Sequence, residues 1–266
     1  LINSLVLQKR GIEQWRQLEK DLKSDFELDI TGGLMVAESE KDIAYLKKKI
    51  VAERKVGIEM ELLGREDVKN HIPNVSKKIL AAAFCPGEGK LNPMIATPVL
   101  ATESERLGTK FKQETTVLSI EKEKEFFVVK TNRGNIKSKF LVNAAGGWSS
   151  KISEMLGIKI PVLSAPQQMI ATESSAPIIK SLISHAHRHL TMKQTKNGNL
   201  IIGGGWFAGF NEGMNKTINY RKAISGNLWV AQRVIPPIGH LCILRTWATV
   251  GVMIDGAPIL GETPGT

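Results

Sequence analysis

The sequence is poor in cysteine and has no long apolar stretch, and each scarcity narrows what the chain can be. Two cysteines, Cys85 and Cys242, stand isolated among 266 residues. They form no metal-type spacing and no disulfide framework, so a reducing cytosol is the plain reading of their surroundings. No apolar run reaches the ~18 residues that a membrane-spanning helix needs. No internal repeat and no low-complexity linker interrupts the chain. Leu1-Ile2-Asn3-Ser4 lacks an initiator Met, and it shows none of the basic end, apolar stretch and small-residue cleavage site of a signal peptide. The expectation is the middle part of a longer protein.

What is present suits a soluble globular fold. The hydrophobic fraction is 42% and the charged fraction 23%, and the length can bury one large core or two smaller ones. Lysine and arginine number 36 against 26 acidic residues, a formal charge of +10. Nucleic acid or an anionic membrane surface could exploit such an excess. The lysines are scattered among glutamates, as in Glu121-Lys122-Glu123-Lys124-Glu125. The one tight cluster, Lys47-Lys48-Lys49, reads as a solvated helix face. No aromatic residues alternate with the basic ones to stack on bases, so nucleic acid is not expected as a partner.

Apolar residues at helical spacing predict a helix over Ile2–Leu22, with Leu5, Ile12, Trp15, Leu18 and Leu22 on one side. Asp29–Ala37 reads as a strand broken by Gly32-Gly33. Ser39 can cap a helix that runs to about Lys55. Asn92-Pro93 opens another helix, through Leu107 to Gly108, which Pro98 should kink or delay. Strands are expected at 111–120 and 126–129, with a turn at Asn132-Arg133-Gly134 into a third. Phe140–Gly147 reads as a buried strand running into glycines, followed by a helix from Ser149 to Leu156. Beyond Pro161, strands are expected at Gln168–Glu173, His189–Gln194 and Leu200–Gly203. Asn197-Gly198 marks a tight hairpin, because both residues tolerate positive φ. A helix over Asn215–Arg233 and a strand at Arg245–Val250 complete the reading.

Two segments carry possible chemistry. In Lys139–Trp148, a strand ending in Asn143-Ala144-Ala145-Gly146-Gly147 would let a ligand approach the backbone, with a helix N-terminus facing it. Ordinary close packing of a helix on a strand explains the same pattern. In His185-Ala186-His187-Arg188-His189, alternation on a strand could converge three imidazoles on a metal. No carboxylate lies between them, so loop or solvated positions, or a substrate-side place for His189, fit better, and no metal site is expected.

The order Gly108, Val117, Gly134, Val142-Asn143-Ala144-Ala145-Gly146, Trp148, Gly157-Ile158 and Pro161 resembles the D-amino-acid oxidase family of flavoenzymes. The likeness continues through Gln168–Glu173, Lys193–Gly204, Arg245-Thr246-Trp247-Ala248 and Asp255–Gly261. It implies an α/β fold with α+β character: an FAD-binding-type flavoprotein fragment, truncated at both ends, with a large mixed-sheet substrate domain. Residues 1–96 and 159–250 would form that domain. Residues 97–158 would form part of the FAD-binding domain, and 251–266 the start of its C-terminal segment. The implied reaction is oxidation of a C–N bond in an amino acid or secondary amine, by hydride transfer to the flavin and hydrolysis of the resulting imine.

The resemblance also assigns residues. Val117, Ala144, Ala145, Gly146 and Trp148 would lie against the cofactor. Gln168, His189, Thr191, Lys193 and Trp247 would line the substrate cavity, and Asp255-Gly256 would turn near the flavin. No catalytic acid or base is named. The family's Gly-x-Gly-x-x-Gly turn, on which the FAD pyrophosphate rests, has no counterpart here. Its substrate-holding arginine is missing from Ala248–Ile254. FAD is therefore expected in the intact parent and not in this chain alone. A small amine or amino acid is the expected partner, with a further subunit or a second copy possible and no membrane span. Two rival readings remain open: a non-catalytic piece that needs a partner chain, and a flavoenzyme of related fold acting on an alcohol such as a polyol phosphate. The latter is disfavoured because the matched motifs show no basic cluster.

Overall fold

The structure is a computed structural model that describes residues 2–254 and 257–263. It divides into two compact units, one of residues 1–103 and 166–249, the other of 104–165 and 250–266.

The first unit opens with α1 (Ile2–Leu22), β1 (Gly33–Ala37) and α2 (Glu40–Arg54). Ser39 caps α2 in a capping box: its side chain accepts from the Asp42 amide while the Asp42 carboxylate accepts from the Ser39 amide, which satisfies two otherwise orphaned donors. Next come β2 (Glu61–Gly64), α3 (Arg65–His71), β3 (Ala81–Cys85) and α4 (Pro93–Arg106). Pro98 sits inside α4, and the Asn92 side chain accepts from the Met94 amide at its start.

The second unit holds a three-stranded antiparallel sheet of β4 (Val117–Glu123), β5 (Phe126–Thr131) and β6 (Gly134–Ser138). β4 begins six residues later than the predicted start, because Phe111–Thr116 precede the first register pair, Val117 with Thr131. A one-turn 3-10 helix (Gly146–Trp148) leads into α5 (Ser149–Glu154). The predicted buried strand at Phe140–Gly147 does not form. Phe140 and Val142 are each 85% exposed, and the segment is irregular up to the 3-10 turn. An apolar run becomes a strand only when neighbours take up its backbone groups, and the sheets drawn by the described residues give this run no place.

The chain continues through β7 (Leu163–Ser174), β8 (Leu182–His185), β9 (Thr191–Gln194), β10 (Asn199–Gly203), β11 (Gly209–Asn211), β12 (Lys216–Ile218), α6 (Arg221–Val234) and β13 (Ile243–Met253). Here α6 starts six residues later than predicted. Asn215 takes a positive φ of 47°, and β-branched Thr217 and Ile218 pair with β11 instead. The eight-stranded sheet runs β13-β7-β10-β9-β8-β1-β3-β2. It is mixed, since β1 lies parallel to β8 and antiparallel to β3. The β9–β10 hairpin closes through Asn197-Gly198, but only Gly198 takes a positive φ, at 87°. The Gly198 amide donates to the Thr195 carbonyl, and the Thr195 amide to the Asn199 carbonyl. This is the three-residue loop with a glycine bulge, not the two-residue turn.

Strand register separates the faces of the large sheet. Leu34, Ile183, Met192, Ile202 and Ile170 are side-by-side partners across five strands, and all are 2% exposed or less. They form the main core with Val230, Ala231 and Val234 of α6. On the other face, β1 and β3 are covered by α2 around Leu46 and Ile50. The rest of that face, across β9, β10, β7 and β13, carries the features that follow.

Candidate functional site

The uncovered part of the sheet is the floor of a concave space of about 890 Å³ within the first unit. Lys193, Ile201 and Ala171 stand side by side on β9, β10 and β7. Arg245 and Trp247 of β13 complete the floor, and Lys90, Leu91, Asn92 and Met94 before and within α4 line one wall. Alternation explains why Arg245 and Trp247 come as a pair: residues two apart on a strand share a face.

Charge on this lining is lopsided. Lys90, Lys180, Lys193, Lys196 and Arg245 stand against only Glu27 and Asp29. Lys90 pairs with Asp29 at 3.1 Å, and Lys196 with Asp25, outside the lining, at 3.0 Å. Lys193 forms no salt bridge among the described residues; its ammonium donates to the Leu91 carbonyl at 3.2 Å. Burial, and next the Lys90 charge, push the Lys193 ammonium below the ordinary lysine range. The sequence shows no basic cluster because these cations come from four separate segments. The fold assembles one, and that removes the ground on which a phosphate-bearing ligand was disfavoured.

The residues expected at the substrate separate into groups. Lys193 and Trp247 line the space, while Gln168, Thr191 and His189 do not. Thr191 shares the face of Lys193 through its place on β9 but lies beyond the lining. Gln168 sits under α6, fully buried. Its amide nitrogen donates to Asn219 and to the Trp247 carbonyl, both at 3.0 Å, and its main-chain carbonyl accepts from Asn227 of α6. His189 precedes β9 rather than lying on it, and its ring meets Trp206 edge-on at 6.1 Å.

The three histidines diverge. His185 ends β8, and its Nδ1 accepts from the His187 and Arg188 amides. The His187 ring bonds Asp42. No group of His, Cys, Asp or Glu among the described residues is arranged for a metal. Sequence reasoning missed a neighbouring ion cluster. The buried carboxylate of Glu38 takes Nε of both Arg188 and Arg233. Burial would raise its pKa, but those two hydrogen bonds prevail and hold the carboxyl below the usual range. Both guanidiniums lie over Trp229, at 5.1 and 5.5 Å.

In the second unit, Val117 opens β4, half-buried. Ala144 and Gly146 are exposed, and Gly146 takes a φ of 56° with open space where a side chain would begin. Asn143 ties this loop to α5, donating to the Ser149 carbonyl and the Ser153 hydroxyl, both at 2.9 Å. The Trp148 amide closes the turn on the Ala145 carbonyl. Ala144, Ala145, Gly146 and Trp148 sit on a loop and a 3-10 turn rather than at the end of a strand. The strand that would present them is missing, and α5 has six residues. The other glycine run, Gly203-Gly204-Gly205, leads from β10 towards β11 and not into a helix. Asp255-Gly256 lie outside the described residues.

Residues 3–266 match the profile of the family described as FAD dependent oxidoreductase (DAO). The chain belongs to that family. Among curated proteins it is 25% identical over 264 residues to the sarcosine oxidase beta chain of Arthrobacter sp, covering 96% of this chain and 64% of that protein. It is 22% identical to one of the subunits of opine oxidase from Rhizobium meliloti, covering 94% and 67%. Among solved structures, L-proline dehydrogenase from P. horikoshii superposes with a TM-score of 0.87 at 27% identity, over 98% of this chain and 70% of that one. Glycine oxidase from Geobacillus kaustophilus gives 0.83 at 18% identity, over 98% and 70%. The chain thus spans about two thirds of the length of these relatives. No helix among the described residues is long and apolar enough to cross a membrane.

Proposed function

We propose that this chain is the substrate-facing part of a flavoenzyme that oxidises the C–N bond of an amino acid or secondary amine. The single observation that carries the reading is the open floor of the large sheet, where Lys193 and Trp247 share one concave space, in a chain whose family is FAD-dependent. Trp247, Ile201 and Ala171 supply an apolar surface, and Lys193 supplies a cation where the sequence offers no arginine between Ala248 and Ile254. Such a mix of apolar wall and a few placed polar groups is what small-ligand sites require. The names of relatives, as parts of sarcosine and opine oxidases, support both the substrate class and a partner chain. FAD would supply the redox chemistry, and this chain would bind and orient the amine.

The test is anaerobic titration of the flavin-loaded protein that carries this chain. Amino acids or secondary amines should bleach the visible absorption of the oxidised flavin, and glycerol phosphate should not. Bleaching by the alcohol alone would replace this reading with the polyol-phosphate one. The 266-residue chain by itself should emerge from gel filtration colourless, since it lacks a pyrophosphate cradle. A flavin band near one equivalent per chain would refute that.

A further inference from the structure

We infer that the ion cluster between the end of β1 and α6 is a docking site for an acidic segment of another polypeptide. Arg188 and Arg233 receive its carboxylate, and Trp229 receives the apolar side chain next to it. The inference concerns a partner and not the oxidised bond, so it stands or falls apart from the amine-oxidising reading.

The geometry starts from Glu38, just past the end of β1, whose side chain is 6% exposed. Arg188 and Arg233 both donate Nε to one of its oxygens, Oε2, at 2.9 and 2.8 Å. Two donors on one acceptor lie within about 6 Å of each other, so a single group can reach both guanidiniums. His185 fixes the turn that delivers Arg188, because its Nδ1 accepts from the His187 and Arg188 amides. Arg233 comes from the last turn of α6. A guanidinium carries five N–H donors in a rigid fork. Glu38 takes the Nε donor of each. The Nη nitrogens of both arginines bond no group among the described residues, and both side chains are partly exposed. Those are the donors left for a ligand.

Their chemistry sets the class of ligand. Trp229, under both guanidiniums, is 52% exposed, and its indole N–H has no partner among the described residues. The patch therefore offers donors, and a carboxylate is an acceptor only. Two arginines on one carboxylate leave one positive charge over. Burial pushes the His185 imidazole below its ordinary range, so that ring adds no charge. The Asp42 carboxylate is taken up by the α2 N-terminus and the His187 ring. Tyr45 lies against His187 at 5.3 Å and extends the exposed aromatic surface. Trp, Tyr and Arg are the residues that dominate protein–protein contacts, and arginines already held by Glu38 lose less freedom on binding. A free phosphate would leave the indole bare. A nucleic-acid base would meet guanidiniums already placed over the ring. A second copy docking face to face would set cations against cations, in a chain of charge +10. An acidic polypeptide matches both the charge and the apolar area.

The test is titration of the protein that carries this chain, followed by heat and by tryptophan emission. The probes are a short synthetic peptide of glutamate and leucine, its glutamine counterpart, inorganic phosphate, oligothymidylate and phosphatidylglycerol vesicles. The glutamate peptide should bind about tenfold or more tighter than the glutamine one, the gain from a charge-assisted contact. Arg188→Lys and Arg233→Lys keep the charge beside Glu38 but lose the planar fork, and each should weaken binding about tenfold. Trp229→Phe should remove the emission change that binding causes. Lys55→Gln, on the exposed end of α2, should change nothing. Circular-dichroism melts accompany each variant. If one lysine variant melts early, the other and the Trp229→Phe emission decide. Equal binding of the two peptides, or lysine variants that bind as wild type does, would overturn the proposal. So would an equal loss in Lys55→Gln, which would mean diffuse charge, or no peptide binding at millimolar concentration. Tighter binding of phosphate, oligothymidylate or vesicles, sensitive to the same variants, would replace the polypeptide with that partner. A dimer in sedimentation that the two lysine variants dissociate would assign the face to a second copy and equally overturn it.

Discussion

Two apolar runs of similar texture meet opposite fates in this molecule. Leu200-Ile201-Ile202-Gly203 becomes β10, in the middle of the eight-stranded sheet, with Leu200 and Ile202 fully buried. Phe140-Leu141-Val142-Asn143 forms no strand and leaves Phe140 and Val142 almost wholly exposed. Composition does not separate them, but partners do. Strand β10 has β9 on one side and β7 on the other, and its buried side chains pack in the core that α6 closes. The 140–143 run has no assigned neighbour of that kind. Burial of an apolar strand depends on what lies beside it at least as much as on its own residues.

The largest expected effect tests the packed member of the pair. Leu200→Ala should cost about 2–5 kcal/mol in urea denaturation, the range for emptying a fully buried leucine site. A loss under about 1 kcal/mol, the scale of ordinary surface changes and minor repacking, would mean that the core around β10 is not as close-packed as its burial indicates.

A second effect is polar and depends on pH. Glu38 joins the end of β1 to the β8–β9 connection and to α6 through Arg188 and Arg233. Removing the charge as Glu38→Gln should cost about 3 kcal/mol near neutrality, because two arginines lose a buried anion. The folded-state pKa of Glu38 is depressed, so its contribution is full above the unfolded-state value near 4 and is lost as pH falls through the folded-state value. The gap between wild type and Glu38→Gln should therefore shrink on acidification below about pH 4. An equal gap at both ends of a pH series of denaturation curves would show that the carboxylate charge is not what stabilises this junction.

Much of the fold was legible in the sequence, and what was missed has physical causes. The α2 cap at Ser39, the helix opening at Asn92-Pro93 and the glycine bulge region at Asn197-Gly198 are local devices, and local chemistry fixed them. The late start of α6 was hidden because Lys216-Thr217-Ile218 pairs with a strand formed by other residues. The irregular 140–147 segment failed for the same kind of reason: its state depends on neighbours. In the candidate site, Lys193 and Trp247 were marked by motif, and the alternation of Arg245 with Trp247 could have marked Arg245 as well. Gln168 shares its face of β7 with Ile170, two residues on, whose pairing with Ile202 places that face in the core; alternation in the sequence shows that the two share a face but not which face α6 covers. The ring of cations was invisible because its members come from distant segments.

A smaller effect is expected within the exposed region itself. Asn143 holds the 143–146 loop against α5 by its bonds to Ser149 and Ser153. Asn143→Ala should cost about 1 kcal/mol, and it should appear as faster amide exchange in the turn and α5 with little change in the eight-stranded sheet. Faster exchange spread evenly over both regions would break the distinction between them.

The smallest effect is the most direct probe of the comparison. Phe140→Ser with Val142→Ser should leave the stability of this chain within about 0.5 kcal/mol of wild type, since side chains already in water have no burial to lose. The same double change in the flavin-loaded protein that carries this chain has a different expected outcome if the run there finds neighbours. Burying Phe140 and Val142 would then contribute about 1.5–3 kcal/mol each, and the double variant would lose several degrees in melting temperature. A melt unchanged in both settings would mean that the run is solvent-exposed by nature, and the likeness between 140–143 and β10 would then end at composition. A large loss in the chain alone would show instead that the run packs against something even here, and the contrast drawn from its exposure would fall.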